Sequence, residues 1–179
     1  MDSKELFTKR RIEELADQHE ITDFISRELK DQNEKYYAVF VSHSSSDNIF
    51  ISKVLKFLKY SKGGIQGYVD WKDPSLPSIT DANTAKQLKE RIRRARKVIY
   101  VVTNESLKSV WCSWEIGFAD SDKGVRDMAI LAIKPNNGRW KNNEYLQQYP
   151  WISYDTKRHL FLVHQVNGDT VTLSTWLHN

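Results

Sequence analysis

The sequence predicts an α/β fold, a doubly wound parallel five-stranded sheet preceded by a helical extension. Two patterns carry this. Short apolar runs rich in valine and isoleucine alternate along the chain with segments whose apolar residues recur every three or four positions. The short runs are apolar at nearly every position, as expected of strands with helices on both faces. Length sets the scale: 179 residues, 40% of them hydrophobic, fill one core rather than two.

Taken in order, Leu6, Ile12, Leu15, Ile21, Ile25 and Leu29 form a thin helical stripe interrupted around His19. It predicts two short helices within an extension spanning residues 1–35, with the main domain over 36–179. Tyr37 to Val41 is the first strand and runs into the polar cluster Ser42 to Asp47. Ile49 to about Tyr60 is helical, with Phe50, Val54, Phe57 and Leu58 on one side and Gly63-Gly64 as its stop. Ile65 to Val69 makes the second strand, followed by Asp70-Trp71 and a loop marked by Pro74 and Pro77. A basic helix from about Asn83 to Arg96 leads into a third strand, Val98 to Val102. Trp111 to about Asp120 is the next helix, Met128 to Ile133 the fourth strand and Leu160 to Val163 the fifth. Between the last two, Pro135 to Arg158 breaks the rhythm with mixed polar residues, Trp140, Tyr145, Tyr149 and Trp151, and reads as a short helix and a long loop.

Composition narrows the function classes. No apolar run approaches the roughly 20 residues that cross a bilayer, and the first five residues lack the basic-then-apolar pattern of a signal peptide. A cytoplasmic protein with no membrane partner is expected, and the start methionine with its extra helices points to a free-standing chain. Cys112 is the only cysteine, so an intramolecular disulfide and a multi-cysteine zinc site are ruled out. The five histidines, His19, His43, His159, His164 and His178, are dispersed, and no metal is expected. Much of the excess positive charge falls between Lys86 and Lys97. There Ala85, Leu88, Ile92 and Ala95 recur at helical spacing and leave Lys86, Lys89, Arg91, Arg93, Arg94 and Arg96 mostly on other faces. With no aromatic residue interleaved, this reads as a solvated helix face rather than a nucleic-acid patch.

In an open parallel sheet, ligands bind beyond the carboxyl ends of the strands. Those ends carry Ser42 to Asp47, Asp70 to Asp73 and Thr103-Asn104-Glu105. None is a phosphate loop, since neither G-x-G-x-x-G nor G-x-x-x-x-G-K-[ST] occurs, which argues against a dinucleotide dehydrogenase and a P-loop NTPase. Ser42-His43-Ser44 lacks the G-x-S-x-G elbow of serine hydrolases and reads more simply as a hydrogen-bonding turn in which Ser46 or Asp47 caps the following helix.

Glu115 is the informative residue. Its neighbours three and four positions away on a helix are Trp111, Cys112, Phe118 and Ala119, all apolar. A carboxylate among such residues is out of place for stability alone and is expected to have a raised pKa. Gly117 and Ala119 are expected to keep that face thin enough for a ligand to approach. On the residues alone a second reading stays open, in which Glu115 hydrogen-bonds backbone groups near the helix start, where the dipole favours negative charge.

Three stretches in order carry a resemblance: Ala38 to Asp47, Tyr68-Val69-Asp70-Trp71-Lys72-Asp73-Pro74, and Ser109-Val110-Trp111-Cys112-Ser113-Trp114-Glu115-Ile116-Gly117. Together, over about Tyr36 to Leu177, they resemble the TIR domain family, in particular the small bacterial TIR proteins of antiphage defence (Thoeris-type). The resemblance implies a flavodoxin-like sheet in the order 2-1-3-4-5. It also implies that Glu115 matches the glutamate with which enzymatic members break the nicotinamide–ribose bond of NAD, as NAD glycohydrolases or ADP-ribosyl cyclases. NAD+ is then substrate and no cofactor is required. Ser42, His43, Ser44 and Asp47 match the loop lining the substrate cleft. Trp71 with Asp73 to Ile79 matches the loop closing over it, and Trp111 and Cys112 complete the expected substrate-binding set. The family implies self-association through TIR–TIR contacts and a diffusible product sensed by a nucleotide-binding effector. This chain departs from it at His43, where several relatives have an aromatic residue or arginine, and in the N-terminal helices. Two other classes remain: a non-catalytic TIR–TIR interaction module, and a nucleoside deoxyribosyltransferase-like enzyme sharing the sheet type and a catalytic carboxylate.

Overall fold

Residues that bury both faces of a sheet have no polar side to show, and the central strands are built this way. The computed structural model of the protein describes residues 7–17, 39–60, 69–70, 82–137 and 144–179. Val39–Ser42 (β2), Lys97–Val102 (β4) and the first six residues of Met128–Lys134 (β5) are buried throughout. β2 pairs in parallel with Val69–Asp70 (β3) on one side and with β4 on the other; β4 pairs in parallel with β5, and β5 with Trp151–Asp155 (β6). Counted from β2, the parallel strands run in the order 2-1-3-4-5.

Alternation along each strand sends successive side chains to opposite layers. Val39, Val41, Ile99, Val101, Ala129 and Leu131 face one cluster, shared with Ile51, Val54, Leu55 and Leu58 of Asn48–Tyr60 (α2). Phe40, Val98, Tyr100, Val102, Met128 and Ile130 face the other. That layer is closed by Leu88 and Ile92 of Ala82–Arg94 (α3) and by Cys112, Ile116 and Ala119 of Val110–Lys123 (α4).

The predicted fifth strand is corrected. Leu160–His164 (β7) does not take the fifth parallel position; β6 does, and β7 returns antiparallel beside it. β6 was hidden in the sequence because it is only partly buried and mixes Trp, Ser, Tyr and Asp, as strands near an open sheet face do. The turn between them is held by Asp155, whose Oδ1 accepts from the backbone N–H groups of Lys157 and Arg158 at 2.9 and 3.0 Å. It closes with His159 at φ +54°. Two further elements extend the region: Thr170–Thr172 (β8), antiparallel to β7, and Leu173–His178 (α5), capped by the Thr172 hydroxyl. The Trp176 indole N–H donates to the Arg126 carbonyl at 2.9 Å and anchors α5.

At the other terminus, Phe7–Thr8 (β1) adds in parallel to the carboxyl end of β5, opposite Ile133 and Lys134. Lys9–Asp17 (α1) then packs on α2, with Phe7 and Ile12 buried in the same cluster as the strands. The second predicted helix of the extension lies outside the described residues. The solvated reading of the basic helix holds for Lys86, Arg94 and Arg96, which are exposed. Arg93 is exposed as well, although its guanidinium lies over Phe118, whereas Lys89 is only half-exposed and lies over the rings of Trp114 and Phe118. Lys97 is buried at the start of β4 and paired with Asp127. Among the described residues no helix is long and apolar enough to cross a membrane.

Candidate active site

The carboxyl ends of β2 and β4 meet the first turn and a half of α4, and the site is built where they meet. α4 starts cleanly because the Ser109 hydroxyl accepts from the Cys112 backbone N–H at 3.2 Å, satisfying one of the helix's unpaired donors. One turn on, Glu115 is only 9% exposed. The Ser42 hydroxyl at the end of β2 donates to Glu115 Oε2 at 2.5 Å. Burial pushes the Glu115 carboxyl up to about 7, and the hydrogen bond from Ser42 pulls the other way because it favours the ionised form. A carboxyl balanced near neutrality in a dry setting can accept a proton, or oppose a positive charge developing nearby, with little screening from water.

Cys112 lies one turn earlier, buried. Burial pushes its thiol up to about 11; hydrogen bonding with Ser109 and Ser42 opposes this and the Glu115 charge adds to it. A thiol held this far up stays almost wholly protonated near neutral pH and is a poor nucleophile. Ala119 is fully buried and Gly117 is exposed with open space beside it, so neither thins the face of Glu115 as the sequence suggested. The aromatic residues form a ladder on the adjoining flank. Trp111 meets Trp114 edge-on at 5.5 Å, Trp114 stacks on Phe118 at 6.0 Å, and the α3 cations close over the latter two. Glu115 therefore stands between an aromatic flank and the Cys112–Ala119 core face.

The loop after β2 is fixed from within. His43 Nδ1 lies 3.0 Å from the Val41 carbonyl, which makes Nδ1 the protonated nitrogen in this contact. Ser44 accepts through its carbonyl from the Asp47 N–H at 2.9 Å and through its hydroxyl from the Ser46 N–H at 3.3 Å. Asp47 is 4% exposed, and its two carboxylate oxygens accept from the Lys9 ammonium at 2.7 Å and the Thr103 hydroxyl at 2.5 Å. Thr103 and Ser106 in turn exchange side-chain-to-backbone hydrogen bonds at 2.9 and 3.0 Å, a reciprocal cap that stiffens the loop after β4.

The structure thus brings Ser42, Cys112 and Glu115 together, sets His43 and Ser44 beside them in the same loop, and turns Asp47 towards Lys9 and Thr103. Trp71 lies outside the described residues. Sequence reasoning missed Lys9, Thr103 and Ser106. The Thr103-x-x-Ser106 spacing resembles a capping signature and offered a signal; Lys9, 38 positions before Asp47, offered none. Among the described residues no group of His, Cys, Asp or Glu side chains is placed to hold a metal ion.

A protein of Bacillus cereus named as a probable 3' cyclic ADP-D-ribose synthase is 30% identical over 152 residues, covering 80% of this chain and 76% of that protein. A protein of Cytobacillus dafuensis, named provisionally as a cyclic ADP-D-ribose synthase, is 34% identical over 91 residues. That match takes in 49% of this chain but only 24% of the relative, about a quarter of its length. The family model described as TIR domain matches residues 39–161, from β2 into β7, and so spans Ser42, Asp47, Thr103 and Glu115. The chain belongs to the TIR domain family.

Proposed function

We propose that the protein is an NAD+-cleaving enzyme in which Glu115 is the catalytic carboxylate. The observation that carries this is the buried Glu115 side chain, held by Ser42 at 2.5 Å and raised to about 7 at the carboxyl end of the sheet. In its ionised form Glu115 binds hydroxyls of the nicotinamide ribose and opposes the positive charge on the sugar as the bond from C1′ to the pyridinium nitrogen breaks. The bonding pair leaves with nicotinamide, which departs neutral. Water capture of the oxocarbenium ion, with loss of a proton, gives ADP-ribose; attack by a nucleophilic group of the same molecule, with loss of its proton, gives a cyclic isomer. The names of the two relatives favour the cyclic product and a signalling role, in which a nucleotide-sensing effector reads the messenger in antiphage defence.

Around the substrate, the reading assigns Ser42, His43 and Ser44 to the floor of the cleft, Trp111 and Cys112 to the wall beside Glu115, and Trp71 to a stacking position. Asp47 holds the loop in shape. Ile49 and Val110, apolar residues near the starts of α2 and α4, are 85% and 81% exposed; the reading includes copy-to-copy contact, as the family resemblance implies.

The test is incubation of purified protein with NAD+ at high concentration, with and without a crowding agent, with nicotinamide, ADP-ribose and cyclic products resolved chromatographically. Wild type is expected to release nicotinamide and Glu115→Ala is not; equal rates under every condition defeat the proposal. Turnover of deoxyribonucleosides in place of NAD+ would favour a deoxyribosyltransferase instead.

A further inference from the structure

We infer that Lys9, which precedes the TIR-matched region, is a positioning residue of the active site: its ammonium holds Asp47 so that the loops after β2 and β4 stay tied beneath Ser42 and Glu115. The functional meaning rests on the reading of Glu115 given above; the structural link does not.

A carboxylate as buried as Asp47 is costly unless charge and hydrogen bonds compensate it. Thr103 supplies one hydrogen bond, and the Lys9 ammonium at 2.7 Å supplies the opposite charge. Lys9 is not a loose surface cation that has drifted into range. β1 is pinned to Ile133 and Lys134 at the end of β5, α1 packs on α2 through the fully buried Ile12, and the Lys9 ammonium sits 5.1 Å above the ring of Phe50, itself in the first turn of α2. These contacts fix both ends of the side chain before it meets Asp47.

The chain of consequence runs inward. Asp47 closes the turn that begins at Ser44 through its own N–H, and Ser42, the strand residue two positions before that turn, donates to Glu115. Through Thr103 the same carboxylate reaches the Thr103–Ser106 cap of the loop after β4. Removing the ammonium leaves a buried negative charge with one partner gone, and the least expensive response is for the loop to open and bring Asp47 towards water. Ser42 would then no longer sit at its present distance from Glu115.

The experiment uses the full chain and four variants: Lys9→Met, Lys9→Arg, Asp47→Asn, and Lys9→Met combined with Asp47→Asn. Because a misplacement of about 1 Å can cost about a hundredfold in rate, Lys9→Met is expected to lower kcat for nicotinamide release between about tenfold and a hundredfold, with KM little changed. Lys9→Arg should restore most of the loss. In the Asp47→Asn background, where no buried charge needs compensation, Lys9→Met should cost little more. Hydrogen exchange gives a readout free of activity: the Asp47 and Ser106 amides should exchange faster in Lys9→Met while those of β7 do not. Unchanged exchange at Asp47 with wild-type kcat overturns the inference. So does faster exchange throughout the molecule, which marks a purely structural residue, or an equal Lys9→Met effect in the Asp47→Asn background. If wild type leaves NAD+ intact yet exchange still rises only in the two loops, the NAD+ reading fails and the Lys9 link stands.

Discussion

Ser42 and Glu115, 73 residues apart in the chain, meet in a 2.5 Å hydrogen bond between the last residue of β2 and the second turn of α4. Burial and the hydroxyl act on Glu115 in opposite senses, one favouring the neutral acid and the other the carboxylate. The outcome is a group whose charge changes in the neutral range, and the first expectations follow from it.

The folded state should lose stability as pH rises through the window set by Glu115. Below its ordinary 4.5 the group is protonated both folded and unfolded and carries no penalty; above about 7 it is ionised in both, and the cost of holding the charge in the core is complete. A rise of this size corresponds to about 3 kcal/mol. Urea unfolding of wild type and Glu115→Gln between these limits should show the wild type falling behind as pH rises, with the gap nearly closed at the acid end.

On the proposed reading Glu115 acts in its ionised form, so kcat should climb with pH through about 7 and then level off. Ser42→Ala removes the hydrogen bond that favours ionisation and should displace this acid limb to higher pH, besides lowering the plateau. A profile of nicotinamide release against pH for the two proteins decides it; an unmoved limb means that Ser42 does not set the charge of Glu115.

Cys112 should be chemically quiet in the folded protein. With its thiol at about 11 rather than 9.0, the thiolate fraction near pH 8 is lowered by about a hundredfold before steric shielding is counted. Reaction with an aromatic disulfide reagent is expected to be slow natively and fast in denaturant. Rapid native labelling would mean that the region around Ser42 and Glu115 opens readily.

Ile12 is fully buried although it lies before the TIR-matched region. Ile12→Ala should therefore cost about 2–5 kcal/mol, the range for truncating a core isoleucine. A shift of less than 1 kcal/mol in chemical denaturation would place α1 outside the cooperative core.

What the sequence disclosed depended on how many sides of an element are buried. β2, β4 and β5 are covered on both faces, and their unbroken apolar runs announced them. β7 alternates, with Phe161 and Val163 inward and Leu162 and His164 on the more open face, and β6 is buried only at Ile152 and Ser153, so the first of the two was read as loop and the second was assigned its place. Glu115 was legible because its helical neighbours are local in sequence. The Ser42 contact was within reach only once β2 and α4 were placed in space, and Lys9–Asp47 was not, since ordinary surface lysines and buried partners look alike in a string of letters. Trp71 and the loop after it lie beyond the described residues, and their part in the site stays a proposal.

The short antiparallel strand β8 also limits what can add to its margin of the sheet. It is three residues long and passes at Thr172 directly into α5, so that margin of the sheet presents only a few backbone groups to a visiting strand. A border this brief is a poor template for strand addition. A continuous ribbon of hydrogen-bonded backbone spanning several molecules has little to build on at that side of the sheet.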